Sequence, residues 1–472
     1  MTTTATTTTR NPLLYFFDQF AQATQYECAI FDGIAWTYGD LLRETSQDSE
    51  TLVERGISSG HVVVTAGEFS LRHLSLFFSL AKLGAVNVPL PEVGDSEVGK
   101  CAAIANATHL LVVTPDGRWT LEPTSRCVTN PLLNRFLERK EAGLVVFTSG
   151  STGDKKAILH CMSKLLGKFT VRRKRVRTIS FLKLDHVGGI NTVLHALSNL
   201  GMVLFPRTRS VDEICRLIEV HKLQLLPTTP SFLNLLLLSG SHLQYDLSSL
   251  ELITYGTEVM PDLTLKRLHA AFPGVKLQQT YGLSELGVLR SKSRESDSLW
   301  VKIGGGGFDT RVMNGTLWIR ADSAMEGYLN HPNPFIEGGW YDTGDQVEVD
   351  GEFVRFLGRE SEIINVGGEK VFPAEVENFL LGLSDVKDAI VSSEPNPLLG
   401  NIVVAHIVRT SDGTEAEALQ RVKTACRQCL RRYMVPVKLY FVSELEYSDR
   451  YKKLRKRTVA SPASAELAKG LR

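Results

Sequence analysis

Residues 148–156 read TSGSTGDKK and follow a short apolar run, LVVF, at 144–147. Gly150 and Gly153 can take positive φ and let backbone N–H groups approach an anion closely. Thr148, Ser149, Ser151 and Thr152 add hydroxyl donors, and Lys155 and Lys156 add charge. A strand running into such a turn is what wrapping an oligophosphate requires, although an ordinary solvated loop can share the composition. A Walker A loop needs G-x-x-x-x-G-K-[ST]. Here the two glycines are three apart and Asp154 follows the second, so that mononucleotide motif is excluded. The glycine run at 304–307 is no dinucleotide fingerprint either.

The elements around this loop alternate. VVVTA (62–66), HLLVV (109–113), LVVF (144–147), MVLF (202–205) and LQLLP (223–227) read as strands, with amphipathic stretches such as 211–223 between them. Strands alternating with helices predict an α/β fold with mostly parallel sheets. LSLFFSLAKLGAVNVPL is interrupted by Lys82 and too short to span a bilayer; it reads as a buried helix followed by a strand. Near residue 360 the texture changes to a small α+β pattern: strand, strand, a helix over 415–432 and a short strand at 438–442. The expected organisation is a large N-terminal unit (1–358), with a disordered tail over residues 1–25, and a small mobile C-terminal unit (359–472) hinged near 359–362.

The chain has 472 residues, with 43% hydrophobic and 22% charged residues, an ordinary globular composition. A formal net charge of +1 gives no general attraction to nucleic acid or anionic lipid. The start, MTTTATTTTR, lacks the apolar region of a secretory signal. Seven scattered cysteines form no disulfide framework, which predicts a cytoplasmic protein. Cys426 and Cys429 form a lone CxxC without a second pair or histidines; with Leu419, Val422 and Leu430 they fall on one buried helix face.

Six motifs in order carry a family resemblance. FTSGSTGDKKA (147–157) resembles the phosphate-binding signature [YF]-T-S-G-[ST]-T-G-x-P-K-G of the AMP-forming adenylating enzymes, with Lys155 for Pro and Ala157 for Gly. That superfamily contains acyl- and aryl-CoA ligases, peptide-synthetase adenylation domains and luciferases. WTYGDL (36–41), LAKLGAVNVPL (80–90), YGLSE (281–285), YDTGD (341–345) and GRESEIINVGGEKVFPAEVE (358–377) resemble its further elements. The resemblance spans about residues 30–457.

It implies that ATP and a carboxylic acid form an acyl-adenylate and pyrophosphate, with positioning and charge stabilisation dominating. The 148–156 loop would hold the outer phosphates, with Lys156 among the donors. Glu285 would bind Mg²⁺, and Ser284 would contact the α-phosphate. Tyr281, followed by Gly282, would stack on adenine, with Gly256, Thr257 and Glu258 lining the same side. Asp345 would accept from the ribose hydroxyls and Arg359 would donate to them; the bland alternative for Asp345 is a capped turn. LEYSDRYKKLR (445–455) resembles the family's terminal L-P-x-T-x-x-G-K-x-x-R, with Glu446 for Pro and Tyr451 for Gly. This makes Lys452 the catalytic lysine, with adjacent Lys453 the alternative. It also explains the basic cluster at 450–457 better than a nucleic-acid patch does. Ser361 takes the hinge position, and Gly367 and Gly368 suit the approach of a pantetheine arm.

His186, Val187 and Gly188 fall at the substrate-pocket element, His186 next to the carboxylate. Amino-acid-activating relatives carry Asp where Val187 stands, and a buried ammonium beside valine would be unpaired. The implied substrate is therefore an aryl or acyl acid. Too few residues follow 457 for a carrier domain, so the acyl group would pass to CoA or to a separate carrier protein. A non-catalytic nucleotide- or acyl-binding protein on the same fold is the remaining reading.

Overall fold

The computed structural model describes residues 11–455 apart from 92–93, 150–154, 411–412 and 449–450. Two seven-stranded sheets carry the α/β pattern. In one, Lys276–Gln279, Leu252–Tyr255, Leu225–Thr228, Arg177–Ile179, Met202–Phe205 and Glu27–Phe31 run parallel, and Ile34–Thr37 closes the edge antiparallel. The other has a parallel centre: Gly143–Ser149, Val86–Pro91, Val62–Gly67 and His109–Val113. Lys155–Cys161, Gly327–Tyr328 and Trp119–Pro123 flank that centre antiparallel. Central strands such as Val62–Gly67, Val86–Pro91 and Met202–Phe205 are buried on both faces, as parallel strands covered by helices must be. A third sheet, from Ser291 to Arg359, is antiparallel throughout, which accounts for the turn-rich texture before residue 360.

The chain leaves this third sheet at Arg359, passes through a 3₁₀ turn at Glu360–Glu362, and enters a separate five-stranded sheet at Ile364. That sheet and the helices Pro373–Leu381 and Glu415–Cys429 enclose their own core around Val376, Leu380, Ala405 and Ile407. Thr414 and Glu417 form a capping box that starts the second helix. Cys426 is buried on it, but Cys429, expected on the same face, is exposed at the helix end.

The tail expected over residues 1–25 is overturned for its described part. Pro12–Ala21 is a helix started by Asn11, whose side chain accepts from the Leu13 N–H at 2.9 Å. Phe16 and Phe20 are fully buried, and the Phe20 ring meets Phe78 edge-on at 5.5 Å and Tyr38 at 4.9 Å. The Tyr38 hydroxyl in turn donates to the Gly201 carbonyl at 2.8 Å, tying helix, sheet and loop together. The threonine run hid an amphipathic segment directly behind it. Among the described residues no helix is long and apolar enough to cross a membrane.

This packing makes Phe20→Ala cost about 3–5 kcal/mol, the usual range for deleting a buried phenyl ring. Leu14→Ala on the same helix, where the side chain is 54% exposed, should stay within about 0.5 kcal/mol. Urea unfolding of both variants measures the difference.

Candidate active site

The glycine-hydroxyl loop connects two antiparallel strands whose register places Thr148 opposite Lys156 and Ser149 opposite Lys155. Gly150, Ser151, Thr152 and Gly153 lie outside the described residues. Lys155 turns away to pair with Glu97. The Lys156 ammonium stands 5.1 Å from the Tyr328 ring centroid, and the Tyr328 hydroxyl donates to Glu285 Oε1 at 2.6 Å. One tyrosine thus brings the loop lysine and the predicted metal-binding carboxylate together. Burial, and then the charge of Glu285, raise the Tyr328 pKa, so the phenol stays a donor.

Ser284 and Glu285 sit at the tip of a tight hairpin, Gly282–Leu283 with Gly287–Val288. A Cβ on Gly282 would lie 2.8 Å from the Val288 Cα, so the two arms can approach only with glycine there. Fully buried His160 donates through Nε2 to the Ser284 carbonyl at 2.7 Å. Burial pulls its pKa down to about 4, so this cross-strand tether is neutral at physiological pH. Among the described residues no three His, Cys, Asp or Glu side chains cluster as a metal cage. A single carboxylate fits Mg²⁺, which is usually held by one or two carboxylates with substrate phosphates and water completing the shell.

Asp345 and Arg359 face each other in the register of Trp340–Asp350 with Phe353–Arg359. Arg359 Nε donates to Asp345 Oδ1 at 3.0 Å, and the Tyr281 hydroxyl donates to Oδ2 at 2.5 Å. Thr343 forms the turn instead: its hydroxyl donates to the Leu317 carbonyl and accepts from the Asp345 N–H. The Asp345 carboxylate is therefore free of a capping duty. Burial raises its pKa, and the Arg359 charge and the Tyr281 hydrogen bond oppose that rise. Phe356 stacks on one face of the Tyr281 ring at 4.6 Å and 17°.

Tyr281, Gly282, Asp345, Arg359, Thr257 and Glu258 line one cavity of about 160 Å³, and Lys452 closes it from the chain end. Of the two lysines there, Lys453 is committed: its ammonium pairs with Asp388 at 2.7 Å and donates to the Ala389 carbonyl. Among the described residues the Lys452 ammonium makes no ion pair or hydrogen bond. Arg455, three residues on, anchors the segment on Glu377 and the Val391 carbonyl. Glu258 does more than line the wall. Its Oε2 accepts from Ser231 Oγ at 2.6 Å and its Oε1 from the Lys453 N–H at 3.1 Å, clamping the chain end to the large unit. Thr257 holds φ +72° beside Gly256, whose Cβ would sit 2.5 Å from the Thr280 carbonyl oxygen.

The substrate-pocket element is not brought to this cavity. His186 caps the helix Val187–Ser198, its Nδ1 accepting from the Gly188 N–H at 3.0 Å. Val187 is 6% exposed and belongs to the core that holds Leu184 and Ile190. Tyr328, His160 and Phe356 escaped the sequence reading, because their partners lie 43, 124 and 75 residues away and no local spacing announces them. Lys168 escaped too: it is bonded to Asn191 Oδ1 at 2.6 Å and the Val288 carbonyl at 2.8 Å, joining the 187–198 helix to the hairpin.

Residues 16–329 match the family model described as AMP-binding enzyme, and residues 375–450 match the AMP-binding enzyme C-terminal domain. The indoleacetate–CoA ligase of Aromatoleum aromaticum is 28% identical over 334 residues, 64% of either chain. The long-chain-fatty-acid–CoA ligase FadD13 of Mycobacterium tuberculosis is 25% identical over 87% of this chain and 90% of its own. The 4-coumarate–CoA ligase 3 of Arabidopsis thaliana is 24% identical over 94% and 90%. In fold, the anthranilate CoA ligase AuaEII in complex with anthranoyl-AMP superposes with a TM-score of 0.79 at 19% identity, covering 98% of this chain and all of its own. A cleft that gathers the tyrosine, a buried carboxylate paired with an arginine, and a lysine from near the chain end thus stands on the same fold, and the chain belongs to the AMP-binding enzyme family, among relatives that are acid–CoA ligases.

Proposed function

We propose that the protein joins a carboxylic acid to CoA in two steps through an acyl-adenylate. In the first, a carboxylate oxygen attacks the α-phosphorus of ATP, the bond to the β-phosphate breaks, and pyrophosphate leaves. In the second, the CoA thiol gives up its proton, its sulfur attacks the acyl carbon, and AMP leaves. The observation that carries this reading is the uncommitted Lys452 ammonium in the cavity with Asp345, Arg359 and Tyr281. Asp345 and Arg359 hold the ribose, and Tyr281 presents the ring face not taken by Phe356 to the adenine. Lys452 offsets the charge that develops between carboxylate and α-phosphate. Mg²⁺, held at Glu285, would neutralise phosphate charge; Lys156 approaches the same phosphates from the loop. His160 fixes the hairpin that carries Ser284, and Tyr328 orients Glu285.

The acid is an aryl or acyl carboxylate rather than an α-amino acid. Support comes from the acids named for the relatives: indoleacetate, 4-coumarate and long-chain fatty acids. The 3₁₀ turn Glu360–Glu362, which holds Ser361, serves as the hinge between the units.

The test is pyrophosphate release with ATP and Mg²⁺ over indole-3-acetate, 4-coumarate, benzoate, butyrate, laurate and the amino acids, with and without CoA. The expected result is release with an aryl or acyl acid and CoA-dependent turnover. Release with amino acids alone, or turnover that ignores CoA, contradicts the reading.

The pH dependence gives a second test. Burial pulls the Lys452 pKa below the ordinary 10.5, Arg359 adds to the lowering, and Glu258, Glu362 and Asp345 oppose it. Raising the pH removes the charge the first step needs, so adenylation should fall on an alkaline limb centred below 10.5. Lys452→Arg, which stays charged, should lose that limb in ATP–pyrophosphate exchange; an unchanged limb would assign the titration to another group.

A further inference from the structure

Tyr451 immediately precedes Lys452 and stands where the resemblance has glycine. Its φ is +54°, a left-handed conformation that disfavours any residue with a Cβ. Glycine would adopt it without that cost, so something must hold tyrosine there. The ring enters the large unit's core beside two fully buried aromatics, Phe181 at 5.6 Å and Phe232 at 5.4 Å, which themselves pack at 4.7 Å. The hydroxyl donates to the Arg209 carbonyl, the Arg209 guanidinium lies 5.9 Å from the ring centroid, and Thr229 Oγ1 donates to the Tyr451 carbonyl at 3.1 Å. On the other side of Lys452, the Lys453 N–H is held by Glu258. A loop closes behind it, Ser448 N–H to the Lys452 carbonyl at 2.8 Å and Lys452 N–H to Ser448 Oγ at 3.1 Å. The backbone of Lys452 is therefore fixed from both neighbours, while its ammonium remains available.

We infer that Tyr451 is a positioning residue: an aromatic anchor that docks the chain end on the large unit and aims Lys452 at the cavity. This rests on the reading of Lys452 given above. Each turnover that swings the small unit must withdraw the ring from its seat against Phe181 and Phe232, so the anchor favours adenylation at the expense of the thioester step.

The experiment compares wild type with Tyr451→Phe, Tyr451→Gly and Tyr451→Ala. Adenylation is followed by ATP–pyrophosphate exchange with the best acid of the panel above, and thioester formation by supplying that acid's adenylate and CoA. Docking is followed separately, by the rate of tryptic cleavage at Lys452, Lys453 and Arg455 in the enzyme without substrates. The expected result is exchange at least half of wild type for Phe, and a fall of roughly ten-fold or more for Gly. Ala, which keeps the strained φ without the ring, should fall furthest. Thioester formation should hold or quicken in all three, and cleavage should quicken for Gly and Ala only. Exchange unaffected in the Gly variant, equal loss of both half-reactions, or a Phe variant as impaired as Gly would overturn the inference. If wild type itself shows no exchange, the functional reading fails. The anchor is then judged by cleavage alone, and equal rates in wild type and the Gly variant overturn it.

Discussion

A lysine from one folding unit has to reach a cleft in another without being neutralised on the way. The Lys452 site meets that constraint by committing neighbouring charges elsewhere. Lys453 and Asp388 satisfy each other at positions 10% and 4% exposed. Arg455 is taken by Glu377, and Arg359 by Asp345. Glu258, a cavity-lining carboxylate on the large unit, spends its oxygens on Ser231 and on the Lys453 backbone.

The rest of the fold supplies positions for these commitments. The two α/β sheets deliver the loop after Gly143–Ser149 and the turn after Leu252–Tyr255, both at strand ends where open α/β sheets bind ligands. The antiparallel third sheet sets Asp345 opposite Arg359 by register alone. The hairpin at 282–288 needs glycine at one arm and a buried, neutral histidine at its back. Single long-range hydrogen bonds, from His160 to Ser284 and from Tyr328 to Glu285, hold parts separated by up to 124 residues.

Most of the architecture was legible because it follows local rules. VVVTA, HLLVV and MVLF became strands, and residues 211–221 and 415–429 became helices with the caps their sequences supply. For the candidate site, the motifs named residues that line one cavity: Tyr281, Asp345, Arg359 and Lys452. What was hidden depends on tertiary pairing. No spacing could reveal that Phe356 would cover one face of Tyr281, or that Glu258 would serve as a clamp. The threonine-rich start masked the helix at 12–21, whose burial is decided by distant Phe78 and Tyr38. Tyr451 looked like a flaw in a motif; its aromatic seat is formed by residues more than 200 positions earlier.

The central claim is that Lys452, and not Lys453, serves the chemistry. The most direct measurement sets Lys452→Ala beside Lys453→Ala, each assayed for ATP–pyrophosphate exchange and for thioester formation from supplied acyl-adenylate. The account predicts that Lys452→Ala loses exchange by roughly a hundred-fold or more while keeping the thioester step. Lys453→Ala should instead lose stability, through the unpaired Asp388, and show both half-reactions reduced together. Exchange that survives in Lys452→Ala, or that disappears selectively in a folded Lys453→Ala enzyme, would contradict it.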